Sequence, residues 1–155
     1  MLPYVLGSPV GETASAVFAG IGAEHGRGHV FRGVLEGIVY MHVWHTRALA
    51  TSYDWEGPIR LGGGISRSPL YVQMVADALG EPVSVVTGDE VGAFGAAAVA
   101  ALGTGRFSSI DEAQELVGLA DPVAPRPELR AHWEGLIARL DALGDSLGPW
   151  WERSA

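Results

Sequence analysis

Between His29 and Leu49, apolar residues and histidines return every three or four positions: Phe31, Val34, Leu35, Ile38, His42, His45 and Leu49. That 3.6-residue period predicts a helix of about five turns with this set on its inner face, ended by Gly57-Pro58. Before it, Gly7 to Gly28 is rich in Gly, Ala, Ser and Pro without a sustained period and reads as loop with one short strand around Ala16 to Phe18. After it, Ile59-Arg60-Leu61 is a short extended run stopped by Gly62, Gly63 and Gly64. Ser68-Pro69 then supplies an N-cap and a proline suited to the first helical position. The helix this predicts runs from Pro69 to Leu79, turns Leu70, Met74 and Leu79 toward a core, and stops at Gly80.

Pro82-Val83-Ser84-Val85-Val86 is a β-branched run closed by Thr87-Gly88 and predicts a strand. The next helix, about Glu90 to Leu102, is built from small residues. Gly92, Ala93, Gly95, Ala96, Ala97 and Ala98 form no bulky knob, so a sheet, another helix or a ligand must approach it closely. Ser109 with Glu112 three residues on predicts a capping box opening a helix to Val117. Pro122, Pro125 and Pro127 form a stiff joint before an amphipathic helix from Pro127 to about Leu143, and Trp150-Trp151 are expected to fold back onto the body. Helices and strands alternate, which makes an α/β fold. The expected organisation is residues 1–120 as one region and 121–155 as a joint and terminal helix.

Composition narrows the chemistry. The chain has 155 residues, 10 Lys+Arg against 18 Asp+Glu, and a formal charge of −8. With no cationic run, it lacks a grip on a phosphate backbone, so nucleic acid is not an expected partner. All ten basic residues are Arg; there is no Lys, no Asn and no Cys. A G-x-x-x-x-G-K-[ST] loop, a Schiff base, a protein-kinase Lys and every thiolate chemistry are thereby excluded. Met1-Leu2-Pro3-Tyr4 does not read as a signal peptide. The most apolar stretch, Val91 to Gly103, is about 13 residues where a span needs roughly 20, so no membrane is expected and the chain is read as cytoplasmic.

The turn from strand to helix at Gly62–Gly64 is the candidate site. Without side chains the backbone lets a ligand approach, and the following helix start offers N–H groups. The same three glycines also serve a plain tight turn, and Arg67 breaks the G-x-G-x-x-G fingerprint. His25, His29, His42 and His45 have helical spacings but no H-E-x-x-H, and are read as helix-start and core residues, not metal ligands. Arg32 and Glu36 make an i,i+4 pair, and Asp89-Glu90 a cap with first-turn acids. No G-x-S-x-G occurs.

The run IRLGGGISRSPLYVQMVADALGEPVSVVTGDEVGAFGAAAVAALGTGRFSS resembles the C-terminal part of the FGGY carbohydrate kinases, the family of xylulokinase and glycerol kinase. HGRGHVFRGVLEGIVY resembles the helix before the family's glycine turn, and LPYVLGSP a loop that opens on a Pro-Tyr pair, so the likeness covers Leu2 to Ser109. The resemblance implies part of an actin-like ATPase (ribonuclease H-like) lobe, with ATP in a cleft and its γ-phosphate passed to a sugar or polyol hydroxyl. It implies that Gly63 and Gly64 pack against the nucleoside, that Gly62 opens the turn, and that Ser68 stands where some members place Asn near the adenine. Gly92 and Gly95, in a segment similar to E-x-x-A-x-G-A-A, would lie against the same pocket or serve helix packing. Gln73 stands where the family often has Gln, or simply on a helix surface.

Departures from the family carry their own expectations. Members are about three times as long. The first lobe, with the Asp that acts as general base and the acidic residues that hold Mg2+, has no counterpart here, nor do the early strands of the second lobe with their Gly-Thr turn. The Gly-Glu-Arg-x-Pro element reads Gly7-Ser8-Pro9-Val10-Gly11-Glu12, without its Arg. The chain is therefore expected to be a fragment, a split subunit or a remnant, to contribute the adenosine side of an ATP cleft, and not to phosphorylate sugar alone. Its expected partners are nucleotide, a sugar or polyol once the missing lobe is supplied, and a second copy or a first-lobe chain at bare sheet edges. The other reading is a noncatalytic interaction or dimerisation module derived from such a kinase.

Overall fold

The computed structural model describes residues 1–5, 7–54, 57–88 and 90–153. Its elements, in chain order, are α1 (Arg27–Ala50), β1 (Ile59–Leu61), a 3₁₀ turn (Gly64–Arg67), α2 (Pro69–Leu79), β2 (Val83–Val85), α3 (Val91–Gly103), α4 (Ile110–Gln114), a second 3₁₀ turn (Pro127–Leu129) and α5 (Arg130–Glu152). β1 and β2 pair in parallel, Ile59 opposite Val83 and Leu61 opposite Val85, with α2 as the crossover. The other edge of β2 is closed by residues 118–123, which run antiparallel to it. Val83 and Val123 exchange both backbone hydrogen bonds at 3.0 and 2.8 Å, and Ala120 and Thr87 extend the ladder. No described residue pairs with the outer edge of β1.

α2 is the centre of the molecule because two of its sides are apolar. Tyr71, Val72, Met74, Val75 and Ala76 are buried against Val39 of α1, Leu61 and Val83 of the sheet, and Trp133 of α5. It starts where Ser68 accepts a hydrogen bond from the Tyr71 amide and stops where Gly80 takes φ +72°, a conformation glycine adopts without strain. A second core joins Leu2 and Tyr4 to Tyr40 and Val43 of α1 and to Ile137, Leu140 and Trp151 of α5. Tyr4 meets the Trp151 ring edge-on, so Trp151 packs onto the body as expected, though in the last turn of α5, whereas Trp150 beside it is half exposed.

Several expectations change. α1 has 24 residues and turns Gly37, Val39, Tyr40 and Val43 inward, while Phe31 and Leu49 stay 65% and 56% exposed. The inner face was displaced by about one position because Gly37, whose missing Cβ lets the Met1 carbonyl come close, carries no hydrophobic signal. Leu70 likewise faces solvent in the first turn of α2, whereas Met74 is buried. The strand expected at Ala16 to Phe18 is one antiparallel bridge between Leu2 and Val17. α5 continues through Pro149 to Glu152. Ser109 makes no side-chain cap; Ser108 bonds Glu112 instead, through both its amide and its hydroxyl. Asp89, expected to cap α3, lies outside the described residues.

Candidate functional site

Gly62 follows the buried Leu61 and sits against α3: a Cβ there would rest 3.5 Å from Val91 and 3.7 Å from Val86. The glycine turn and the start of α3 are thus brought together. Gly63 then takes φ +94°, ψ 179°, a region that only glycine occupies at low cost. Gly64 begins the 3₁₀ turn with an ordinary φ, and a Cβ on it would meet nothing within 4 Å. Gly63→Ala is expected to destabilise the chain by about 2 kcal/mol. A thermal melt would show this as a fall of about 4–8 °C, and an unchanged midpoint would refute the strained turn.

The 3₁₀ turn alters the expected supply of donors. The Ser66 amide and hydroxyl both donate to the Gly63 carbonyl, at 3.1 and 2.7 Å, and the Ser68 amide donates to Ile65. The Tyr71 and Val72 amides go to the hydroxyl and carbonyl of Ser68. Most N–H groups around the start of α2 are therefore committed within the chain. What remains accessible is the bare backbone of Gly63 and Gly64 and the hydroxyl proton of Ser68, which no described residue accepts.

α3 was expected to be closely approached, and among the described residues this holds only at its start, beside Gly62, and on its α4 side. Ala98 is its one buried residue, and hypothetical Cβ atoms on Gly92 and Gly95 meet nothing within 4 Å. Beside Gly62, sharing Val86 and Val91 with it, lies a cavity of about 320 Å³ walled also by Phe94, Leu116 and Val117, with Thr87, Gly88 and Glu90 at its rim. A larger cavity of about 560 Å³, between the start of α1 and α5, shares no residue with the turn.

The histidines have local roles. His25 and His29 accept hydrogen bonds through Nδ1 from the Gly22 and Gly26 amides, closing the start of α1. His42 packs edge-on to Tyr71, and burial, aided by the nearby His45, holds its pKa below the usual value. His45, expected inside, is exposed beside Trp44. Among the described residues no three His, Asp or Glu side chains converge as a metal site. No described helix is long and apolar enough to cross a membrane.

One constellation was missed in the sequence. The Asp77 carboxylate, on α2 and fully buried, accepts hydrogen bonds from the Arg126 amide (2.8 Å), Nε (3.0 Å) and terminal nitrogen (2.6 Å), and from Gln73 (3.0 Å). Gln73 also donates to the Ala124 carbonyl. These bonds pin the proline-rich segment to α2 and hold 118–123 along β2, behind the glycine turn. Gln73 and Asp77, one helical turn apart on an otherwise apolar helix, were the only signal.

Residues 6–104 match the model of the FGGY family of carbohydrate kinases, C-terminal domain. The L-xylulose/3-keto-L-gulonate kinase of Escherichia coli K12 is 33% identical over 132 residues, covering 84% of this chain and 26% of the kinase. Glycerol kinase 1 of Thermotoga maritima is 34% identical over 136 residues, with 84% and 27% covered. The crystal structure of xylulose kinase from Rhodospirillum rubrum superposes with a TM-score of 0.79 at 30% identity, over 97% of this chain and 31% of that one. The chain thus spans about a quarter of the curated relatives and a third of the solved kinase.

Proposed function

Since the chain belongs to the FGGY family of carbohydrate kinases and carries its C-terminal domain, part of an actin-like ATPase lobe, we propose that it forms the adenosine side of the ATP cleft in a sugar or polyol kinase. One observation carries this reading. Cβ atoms on Gly64, Gly92 and Gly95 would meet no described atom within 4 Å, and these glycines belong to the turn and to α3, which meet at Gly62 and Val91. Bare backbone of that kind suits a flat nucleoside. Gly63 and Gly64 lie against it, Gly62 holds the turn on α3, and Ser68 offers a hydroxyl proton to it. ATP, when bound, supplies the phosphoryl group.

Transfer to a hydroxyl needs a base and charge neutralisation at the phosphates. The described residues fit the nucleoside, not Mg2+, for no acidic cluster stands near the turn. The chain alone is therefore expected to be inactive and to work with the remainder of a kinase, joined to it or as a separate chain. Assayed alone with MgATP and L-xylulose, glycerol or gluconate, it should release no ADP above background; turnover would refute this division of roles. Isothermal titration with MgATP tests the binding half. Saturable binding, by the chain or by its assembly with the remainder, supports the reading, and its absence from a folded assembly overturns it. In that event the uncovered α3 and β1 edge favour the second reading, a noncatalytic interaction module.

A further inference from the structure

The cavity of about 320 Å³ beside Gly62 is walled by five apolar side chains, Val86, Val91, Phe94, Leu116 and Val117. Phe94 and Leu116 stay 38% and 63% exposed, an apolar lining that the described residues leave open to solvent. Most of the backbone around it is closed to further hydrogen bonding. The Val86 amide donates to the Leu61 carbonyl, Thr87 to Gly118, Phe94 to Glu90, Leu116 to Ala113 and Val117 to Gln114, all at 2.8–3.1 Å. The same bonds hold the walls in place before any ligand arrives. Among the described lining residues the polar side chains are Thr87 and Glu90, and both stand at the exposed rim.

We propose that this cavity seats the base of the nucleotide and selects it by size and apolar contact, not by hydrogen bonds, so that GTP and ITP serve in place of ATP. The proposal rests on the reading of this chain as the nucleoside side of the cleft. Val86 and Val91 belong both to the cavity and to the junction at Gly62, so the cavity lies next to the seat proposed for the nucleoside. The faces of a base meet Phe94, Leu116 and the valines there, while its polar edge stays hydrated at the rim. Glu90 accepts as readily from the amino group of adenine as from the ring N–H of guanine or hypoxanthine, and so does not separate them. An apolar pocket rejects an analogue of like shape only weakly, whereas a site that hydrogen-bonds the distinguishing groups rejects it by about 10⁴-fold. A pyrimidine has one ring to bury where a purine has two, and loses roughly tenfold in affinity.

The test is isothermal titration of the form that binds MgATP, the chain or its assembly with the remainder of a kinase, with MgATP, MgGTP, MgITP, MgUTP and MgCTP in turn. MgGTP and MgITP are expected to bind within about tenfold of MgATP, and MgUTP and MgCTP at least tenfold more weakly than any of the three. Phe94→Ala removes the aromatic wall at an exposed position of α3. It should weaken the three purine nucleotides at least tenfold and erase their lead over the pyrimidines without lowering the melting midpoint. MgGTP or MgITP more than tenfold weaker than MgATP, pyrimidine nucleotides as tight as the purines, or wild-type affinities in Phe94→Ala would each overturn the proposal, while the binding of MgATP leaves the nucleoside-side reading standing. No MgATP binding by the chain or by a folded assembly removes that reading instead, and this proposal with it.

Discussion

Gly64→Val should leave the fold in place and weaken MgATP binding by about 100-fold, or about 2.7 kcal/mol. The first half follows from geometry: Gly64 has an ordinary φ, and its Cβ position is empty for 4 Å around. Valine, though β-branched, is no poorer a helix former than the glycine it replaces, so the turn itself loses little. The second half follows from the proposed seat of the nucleoside, since two methyl groups would fill the space that the bare backbone leaves. Gly63→Val is the informative partner, because φ +94° makes it lose stability whether or not a ligand binds there. Calorimetry and melting on both variants separate a binding surface from a turn. Wild-type affinity in Gly64→Val would move the nucleotide away from this turn and remove the basis of the proposed function.

The features written in short-range chemistry were legible in the sequence. Ser68-Pro69 and Gly80 bound α2 because cap, N1 proline and left-handed glycine are local devices, and the β-branched run at 83–85 forms its strand for the same reason. What depends on distant partners was not legible. Phe31 and Leu49 fit a helical stripe, yet the stripe that packs is set by where Leu2, α2 and α5 approach α1, and one of its members is Gly37. The composition of α3 announced a close neighbour, and among the described residues only α4 and Gly62 approach it, leaving most of its length open. Of the candidate site, the glycine turn could be read from residues 59–64. Its junction with Val91 could not, because that contact depends on the β1–α2–β2 crossover bringing the end of β1 beside the start of α3. Asp77 and Arg126, 49 positions apart, have no common local pattern.

That ion pair carries the largest stability effect. Asp77→Asn should cost about 2–3 kcal/mol at neutral pH, since it removes the charge from a buried group that accepts from two Arg126 nitrogens, its amide and Gln73. Burial alone would raise the pKa of Asp77. The Arg126 side chain and amide, the Gln73 bond and the Arg126 charge outweigh it, and the carboxyl sits below its ordinary value. A carboxylate with a depressed folded pKa stabilises the fold fully above its unfolded value of about 3.9, and the contribution fades as pH falls through the folded one. Wild type and Asp77→Asn should therefore differ most in urea midpoint near pH 7 and converge at the acid end, where the wild-type carboxyl is itself neutral. A difference that persists unchanged to the lowest pH at which both fold would mean that shape, not charge, matters at position 77. Because Asp77 holds 118–123 to β2 through Arg126, its loss should also release that segment. The Thr87, Ala120 and Val123 amides, bonded across this ladder, should then exchange with solvent faster than those of α2, and the closed edge of the sheet would open behind the glycine turn.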